Sequence, residues 1–333
     1  MKTFIAVKNG QMKKDFLPER NIELLKSFGE VRECGADYDK KYILDNVGDA
    51  DIYMTAWGSP CLDREILDAA PNLKLLVHIC GTVAPYVSDE MWERGVRVIS
   101  GNPYLAESTA EGVFSYILAA QREIPRYSDA LHDKKQWKKS SDVSRSLLGK
   151  TVGVVSYGAV ARHLIKMMQP FRVKMLVYDI VDLPDAEKKA YGIEQVSLED
   201  LFRQSDIISV QTPLNDATHH LIGKRLFDLI QPDALFVNAA RGAVIDQAAL
   251  EDALAEGRFR AALDVYDPEP PTENCRLFDL PNVLMMPHMA GPTTDIRKEI
   301  ALEMINEAHE FIDLGKPLRN EITAAAARKM SEH

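Results

Sequence analysis

The chain has 333 residues and is acidic, with 50 Asp and Glu residues against 40 Lys and Arg residues and a formal net charge of -10 at pH 7. Its length is sufficient for two domains of ordinary size, and its 46% hydrophobic and 27% charged composition is typical of a globular protein. The negative charge argues against general nucleic-acid binding, and no apolar run reaches the roughly 20 residues that span a bilayer.

The first hundred residues alternate short apolar runs with helical patterns. The N-terminal run, residues 4–7, is too short for the core of a secretion signal and predicts a cytoplasmic protein. A helix is predicted over LDREILDAA (62–70), and strands are predicted over TFIAV (3–7), ADIYMTA (50–56), LKLLVHI (73–79) and VRVIS (96–100). This alternation is typical of a parallel sheet covered by helices.

The same pattern starts again after Gly101-Asn102-Pro103, where we expect two domains to join. Long helices are predicted over residues 106–124, with Ser108 or Thr109 near the start, and over 293–315. Six further strands are predicted over TVGVV (151–155), KMLVYD (174–179), DIISVQ (206–211), ALFVNAA (234–240), RAALDVY (260–266) and NVLMMP (282–287). The sequence therefore predicts an α/β fold with two doubly wound parallel-sheet domains and a cleft between them, the first comprising residues 1–102 plus 295–333 and the second residues 103–294.

A candidate dinucleotide-binding turn follows the strand predicted over residues 151–155. It reads S-x-G-x-x-A from Ser156 to Ala161, whereas the usual pattern is G-x-G-x-x-G. Positive φ is unfavourable for a residue with a Cβ, so the turn can still form if the backbone at Ser156 is ordinary. Gly158 keeps the position at which the backbone approaches the pyrophosphate. Asp179 ends the next strand about 20 residues later, where an acidic residue would hold the adenosine ribose; alternatively, it caps a loop. No arginine directly follows Asp179 to pair with a 2′-phosphate, so the turn favours NAD over NADP.

Three charged or titratable side chains follow predicted strands of the second domain: Arg241, Glu269 and His288. Because ligands bind beyond the carboxyl ends of the strands in an open α/β sheet, we expect these residues to converge on one cleft. Arginine can grip a carboxylate through two parallel hydrogen bonds, histidine can exchange a proton near neutral pH, and a neighbouring carboxylate orients the imidazole and favours its charged form. This set suits redox chemistry at a 2-hydroxy acid. Taken singly, the three have simpler interpretations: a surface helix-entry residue, a solvated loop acid and a packed histidine.

The cysteines and histidines do not form a metal-binding pattern. The cysteines are scattered, which predicts free thiols in a reducing compartment: Cys34, Cys61, Cys80 and Cys275. The eight histidines show no ligand spacing, and His219-His220 is interpreted as a pair on a loop. No metal site is therefore predicted.

Together, the motifs resemble those of the D-isomer-specific 2-hydroxyacid dehydrogenase family. GKTVGVVSYGAVA (149–161) is similar to the family's nucleotide fingerprint, and four further segments resemble its other blocks: DIISVQTPLNDATHHLIG (206–223), FVNAARGAVIDQAAL (236–250), AALDVYDPEP (261–270) and PHMAG (287–291). The resemblance implies a flavodoxin-like substrate domain and a Rossmann NAD-binding domain. It also implies a homodimer, joined mainly through the NAD-binding domain and the helix over residues 106–124.

The resemblance further implies roles for individual residues. Arg241 would bind the substrate carboxylate and carbonyl, and His288 would be the acid/base with Glu269 as its partner. Asp264 would hold the nicotinamide carboxamide, and Asp179 the adenosine ribose. The other implied cofactor contacts are Ser156, Tyr157, Gly158, Ala159, Val160, Thr212, Pro213, Ala239, Ala240, Arg241, His288 and Gly291. In the first domain the segment 78–83 stands where the family has a glycine-containing loop, and its candidate substrate contacts are His78, Gly81 and Thr82.

Substrate and activity retain alternatives. Because the residues of segment 78–83 depart from the family pattern, the substrate is left open among glyoxylate, hydroxypyruvate, phosphoglycerate and a bulkier 2-keto acid. A formate- or phosphonate-oxidising NAD enzyme is a second interpretation on the same architecture. From another class, the chain could be an NAD-sensing, corepressor-like binding protein; the presence of Arg241, Glu269 and His288 favours an enzyme.

Overall fold

The computed structural model of the protein describes residues 1–35 and 38–330. The chain divides into two compact units. The first comprises Met1–Leu105 and Pro292–His333, and the second comprises Ala106–Gly291. The first unit is therefore discontinuous, because a C-terminal segment of the chain returns to it.

Parallel strands form the centre of each unit. In the first unit they are β1 (Lys2–Ala6), β2 (Glu30–Glu33), β3 (Ile52–Thr55), β4 (Leu75–His78) and β5 (Arg97–Ser100). In the second unit they are β6 (Thr151–Val155), β7 (Lys174–Tyr178), β8 (Ile193–Gln195), β9 (Ile207–Val210), β10 (Leu235–Asn238), β11 (Arg260–Leu263) and β12 (Val283–Met285).

Helices connect most of the strands. In chain order they are α1 (Gln11–Phe16), α2 (Glu19–Phe28), α3 (Lys40–Asn46), α4 (Arg64–Ala69), α5 (Asp89–Glu93), α6 (Asn102–Gln121), α7 (Ile124–His132), α8 (Ala159–Met168), α9 (Asp185–Tyr191), α10 (Leu198–Gln204), α11 (Lys224–Phe227), α12 (Gln247–Ala255), α13 (Thr294–Leu314) and α14 (Ala324–Ala327). The predicted helix over residues 293–315 is α13, which ends at Gly315 with a left-handed φ of 65°. Among the described helices, none combines the length and the apolar character needed to cross a lipid bilayer.

The first unit contains a five-stranded sheet in the order β2-β1-β3-β4-β5, with every pair parallel. Thr3 of β1, for example, lies between Val31 of β2 and Ile52 of β3. Successive residues point to opposite faces, so Phe4 and Ile5 enter different clusters of buried side chains. This strand order is the flavodoxin-like one, with its switch point between β1 and β3.

The second unit contains a seven-stranded parallel sheet in the order β12-β11-β10-β9-β6-β7-β8. Val154 of β6 pairs with Val177 of β7 on one side and with Ser209 of β9 on the other. This order is that of the Rossmann fold with one added strand, and the switch point lies between β6 and β9. The predicted fold class, with two doubly wound parallel sheets, is confirmed.

The sequence prediction omits β2 and β8, which both lie at sheet edges. The strand β2 reads EVRE and has no fully buried residue. The strand β8 has only three residues, IEQ. Edge strands are commonly short and charged, because these features discourage pairing with another chain. Such strands do not produce the continuous apolar run by which the central strands were predicted.

Helix α6 begins earlier than the predicted range of 106–124. Pro103 occupies its first turn, where a backbone N–H would be unpaired in any case. The segment Gly101-Asn102-Pro103 is thus the start of a helix and not a loop, and Ser108 lies further inside the helix than predicted. The helix ends at Gln121, and Glu123, with a left-handed φ of 54°, precedes the separate helix α7.

Candidate active site

The turn between β6 and α8 presents uncapped backbone N–H groups. Gly158 is the N-cap of α8 and forms no side-chain cap hydrogen bond. A Cβ at Gly158 would meet no atom within 4 Å, so the space beside the turn is open. Free N–H groups at a helix N-terminus bind phosphates through hydrogen bonds and the helix dipole. The turn therefore fits the pyrophosphate of a dinucleotide, and Ala159 and Val160 form the first positions of the helix.

Ser156 has a left-handed backbone conformation, with φ of 77°. The condition of an ordinary backbone at this residue is therefore not met, and the turn forms with a positive φ. Its N–H donates to the Tyr178 carbonyl at 2.8 Å, and its hydroxyl lies 2.9 Å from that of Thr212. The turn keeps the positive φ of a glycine position, and these contacts offset the roughly 1–2 kcal/mol that an L-residue costs there.

Asp179 links the end of β7 to the turn. Its Oδ2 accepts a hydrogen bond from the Tyr157 N–H at 2.7 Å, and its Oδ1 accepts one from the Val181 N–H at 3.1 Å. The buried Tyr157 side chain is directed elsewhere, since its hydroxyl donates to Glu187 at 2.5 Å. Because a carboxylate offers about four acceptor sites, Asp179 can cap the loop and still accept from ribose hydroxyls.

Arg241 follows β10 on a loop that Asn238 holds in place. The buried Asn238 side chain accepts from the Ala240 N–H at 3.0 Å and donates to the Arg241 carbonyl at 3.0 Å. The Arg241 Nη1 donates to the Ala240 carbonyl at 2.7 Å. Burial lowers the pKa of the Arg241 guanidinium, while the nearby Glu269 carboxylate raises it. Since charge-assisted hydrogen bonds strengthen away from water, this guanidinium is suited to binding an anionic group.

Gly242 allows the Arg241 loop to approach the loop that follows β11. A Cβ at Gly242 would lie 1.7 Å from the carbonyl oxygen of Tyr266 and 2.1 Å from its carbonyl carbon. Because both are backbone atoms, a larger residue would force one of the loops to move. The Glu269 carboxylate, three residues after Tyr266, acts on the guanidinium of Arg241 and raises its pKa.

The structure places His288 and Glu269 in direct contact. The Nδ1 atom of His288 is hydrogen-bonded to Oε1 of Glu269. The second carboxylate oxygen accepts from the Tyr266 N–H at 3.4 Å. A carboxylate on Nδ1 orients the ring and stabilises the imidazolium. Because Nδ1 holds the carboxylate, Nε2 is the nitrogen that exchanges a proton with a ligand.

Asp264 fixes the backbone that carries His288, whose φ is left-handed at 55°. The Asp264 carbonyl accepts from the His288 N–H at 2.9 Å. Its carboxylate accepts from the N–H groups of Met289 at 2.7 Å and Ala290 at 2.8 Å, and from the Tyr116 hydroxyl at 3.2 Å. Asp264 is only 1% exposed, so water does not compete for these bonds. Its predicted contact with the nicotinamide carboxamide stays a prediction.

The predicted substrate contacts of the first unit lie at and just after the end of β4. His78 is fully buried, with Nδ1 3.0 Å from the Thr55 hydroxyl and its ring stacked on Tyr86. Burial lowers the pKa of His78 to about 3, so the ring is neutral. His78 offers no exposed atom to a substrate in this structure, whereas Gly81 and Thr82 are half-buried. The substrate roles of these three residues stay predictions.

The other predicted cofactor contacts follow strands of the seven-stranded sheet. Thr212, which is buried, and Pro213, which is exposed, come after β9. Ala239 and Ala240 come after β10, and Gly291 comes after β12. Because the sheet is parallel, these residues lie at the same edge as the turn between β6 and α8.

Sequence reasoning missed the supporting residues and one cluster. Tyr116 contacts Asp264 across 148 positions of the chain, and no linear spacing signals that contact. The ligand atoms of His219, His220 and Asp267 lie within 4.8 Å of one another, although the sequence indicated only a histidine pair. The third member of the cluster, Asp267, lies 47 positions after His220.

Comparisons with known proteins agree with this geometry. Residues 114–290 match the family described as D-isomer specific 2-hydroxyacid dehydrogenase, NAD binding domain. The chain is 33% identical over 296 residues to a glyoxylate reductase from Thermococcus litoralis, and the aligned region covers 86% of this chain and 88% of that reductase. It is 34% identical over 321 residues to a D-3-phosphoglycerate dehydrogenase from Mycobacterium tuberculosis, covering 93% of this chain but 60% of that protein. The crystal structure of a glyoxylate reductase from Paecilomyes thermophila has a TM-score of 0.79 at 24% identity, covering 98% of this chain and 99% of that one, and shows the same fold.

The matched segment forms most of the unit that contains the Rossmann sheet, the open turn and the His288–Glu269 pair. NAD is therefore the cofactor that the sequence match and the turn both indicate. The chain belongs to the D-isomer specific 2-hydroxyacid dehydrogenase family, a family of oxidoreductases.

Proposed function

We propose that the protein transfers a hydride between NAD and C2 of a D-2-hydroxy acid or the corresponding 2-keto acid. The observation that carries this proposal is the hydrogen bond between His288 and Glu269, on loops packed beside the loop that carries Arg241. NAD, when bound, supplies or accepts the hydride, and the protein side chains manage the carboxylate and the proton. The acid/base pair favours an enzyme over the NAD-sensing binding protein.

Arg241, His288 and Glu269 take complementary roles in this proposal. The planar guanidinium of Arg241 binds the substrate carboxylate through two hydrogen bonds and so orients C2. In reduction, His288 begins as the imidazolium and Nε2 donates a proton to the C2 oxygen; in oxidation, neutral His288 accepts that proton. Glu269 keeps its hydrogen bond with Nδ1 in both directions and holds the ring in one orientation.

The residues around Asp179 support a preference for NAD over NADP. Its carboxylate lies beside the turn and would repel a 2′-phosphate. The residues after it, Ile180 and Val181, are 89% and 63% exposed and provide no cation. Arg162 on α8 is paired with Glu187 at 2.9 Å, so its charge is already engaged. We therefore expect kcat/KM to be higher with NADH than with NADPH.

We further propose that the first unit is the substrate domain, that the second is the NAD-binding domain, and that the chain forms a homodimer. Five large apolar side chains in residues 124–148 are at least half exposed: Ile124, Leu131, Trp137, Val143 and Leu148. An exposed apolar group of this kind suits burial against a second copy of the chain. Light scattering coupled to gel filtration should report a dimer, and Trp137→Asp should shift it towards the monomer. A parent protein that is monomeric at assay concentration would contradict the dimer.

We also propose that the protein is cytoplasmic, because its free thiols fit a reducing compartment.

A screen of 2-keto acids with NADH tests the proposed activity. Glyoxylate, hydroxypyruvate, the keto acid derived from phosphoglycerate and a bulkier 2-keto acid are compared by the loss of reduced-nicotinamide absorbance. We expect turnover with at least one of them, and faster turnover with NADH than with NADPH at equal concentrations. Tight NADH binding without turnover of any acid would instead support the binding-protein alternative.

A further inference from the structure

We propose that His219, His220 and Asp267 form a binding site for a divalent transition-metal ion such as Zn²⁺. One ligand atom from each residue lies within 4.8 Å of the other two. All three belong to the second unit, and none of them is a member of the His288–Glu269 pair. The sequence predicted no metal site, because the pair of histidines acquires its third ligand only through the fold.

The separation of His220 and Asp267 leaves room for a shared ion. Nε2 of His220 lies 3.5 Å from Oδ2 of Asp267. N–H···O hydrogen bonds usually span about 2.7–3.2 Å. Two ligand atoms at about 2.0–2.1 Å from a tetrahedral zinc ion lie roughly 3.4 Å apart, close to the observed separation. The His219 ring stacks on that of His220 with centroids 4.0 Å apart. Its ligand nitrogen lies within 4.8 Å of the other two ligand atoms, and rotation of the ring about its side-chain bonds would direct that nitrogen at the same ion.

Backbone contacts hold the cluster in place without an ion. The His220 N–H donates to the Ala243 carbonyl at 2.9 Å, and His220 has a left-handed φ of 50°. Such a conformation is unfavourable for a residue with a Cβ and persists only where the surrounding structure holds it. The Asp267 N–H donates to the Gln247 side chain at 2.8 Å. Because the two loops are already positioned, less ordering entropy is lost when an ion binds.

The ligand chemistry selects the class of ion. Imidazole nitrogens suit Zn²⁺, Co²⁺, Ni²⁺ and Cu²⁺, whereas Mg²⁺ and Ca²⁺ prefer oxygen ligands. Three protein ligands leave a fourth position for water. The side chains of His220 and Asp267 are 44% and 39% exposed, so an ion can reach them from solvent.

An ion at this cluster would connect two loops of the second unit. Asp267 lies on the segment that also carries Tyr266 and Glu269, while the histidines lie on the segment between β9 and α11. Occupancy would therefore restrain the loop that carries Glu269. Because an ion that binds only the folded protein stabilises it by mass action, the thermal midpoint should rise with Zn²⁺ concentration.

Metal titrations on the full chain test this proposal. After chelator treatment, isothermal titration calorimetry with Zn²⁺ should show one equivalent bound per chain, and Co²⁺ should produce visible ligand-field absorption. His219→Gln, His220→Gln and Asp267→Asn should each weaken binding by at least ~10-fold, because the loss of even an outer-shell partner costs about 10–100-fold. Circular dichroism checks that each variant is folded.

Two control variants distinguish this cluster from other sites. His309→Gln removes the imidazole of another His–Asp pair, in which Nδ1 lies 2.8 Å from Asp313, and should leave the affinity unchanged. His288→Gln should also retain the ion, since His288 is not one of the proposed ligands. The absence of a stoichiometric site would overturn the proposal, as would His220→Gln and Asp267→Asn variants that bind as tightly as the parent. Binding that is lost only in His288→Gln would place the ion at the acid/base pair instead.

Discussion

Gly112→Ala tests whether the packing of α6 sets the position of His288. Gly112 faces the backbone of Ala290, and a Cβ there would lie 2.6 Å from the carbonyl oxygen and 2.7 Å from Cα. Since ordinary contacts lie near ~3.5 Å, the helix or the loop must move by about 0.9 Å. The Ala290 N–H is bonded to Asp264, which also holds the N–H groups of Met289 and His288. A displacement of Ala290 therefore reaches the imidazole.

We expect kcat of the Gly112→Ala variant to fall by about 10²-fold, because a misplacement of ~1 Å at a reacting group can cost that much. The free energy of unfolding should fall by about 1–3 kcal/mol from overpacking, offset in part by the ~1 kcal/mol that favours alanine over glycine within a helix. Urea denaturation measures the stability, and NADH oxidation with the best 2-keto acid measures kcat. Glu111→Ala changes an exposed neighbour on the same helix and should leave both unchanged. A Gly112→Ala variant with the parent kcat would refute the packing argument.

Three further substitutions address single contacts of the site. Arg241→Lys should lower kcat/KM by at least ~10²-fold despite keeping the charge, because lysine lacks the planar fork that orients a carboxylate; a lysine variant as active as the parent would exclude Arg241 as the carboxylate-binding group. Asp179→Ser should narrow the ratio of kcat/KM for NADH over NADPH, measured with the same keto acid, and an unchanged ratio would contradict the assignment of Asp179 to the ribose. Asp264→Asn places an amide donor against the N–H of Met289 or Ala290 and should lower the free energy of unfolding by about 1–3 kcal/mol. If urea denaturation gives the variant the same free energy of unfolding as the parent, these hydrogen bonds do not contribute to stability.

The central strands and the apolar edge strands β5 and β12 could be predicted from the sequence, whereas the polar edge strands β2 and β8 could not. β3 and β4 read IYMT and LLVH and are buried along their whole length, so burial on both faces of the sheet appears as an unbroken apolar run. β2 and β8 are polar because an edge strand has neighbours on one side only. The start of α6 was misplaced because Pro103 suggests a linker as readily as the first turn of a helix.

For the site as for the fold, residues marked by a local sequence pattern could be predicted, whereas contacts between residues distant in the chain could not. Arg241 and His288 could be proposed because they stand directly after strands, where a parallel sheet presents its ligand-binding edge. The left-handed φ of Ser156 and the support of Asp264 by Tyr116 depend on residues distant in the chain. One sequence carries no signal for such pairings, since neither periodicity nor spacing encodes them.

The most direct measurement of the central claim is a rapid-mixing, single-turnover assay of keto-acid reduction by NADH in His288→Gln and the parent enzyme. The variant keeps a planar polar side chain at the position of the imidazole but cannot donate a proton from a charged ring. We expect the rate of NADH oxidation to fall by about 10²–10⁴-fold, the usual contribution of a positioned general acid. The dissociation constant for NADH, measured in parallel, separates loss of the proton donor from loss of cofactor binding. Single-turnover rates in His288→Gln that match the parent would contradict the assignment of His288 as the acid/base.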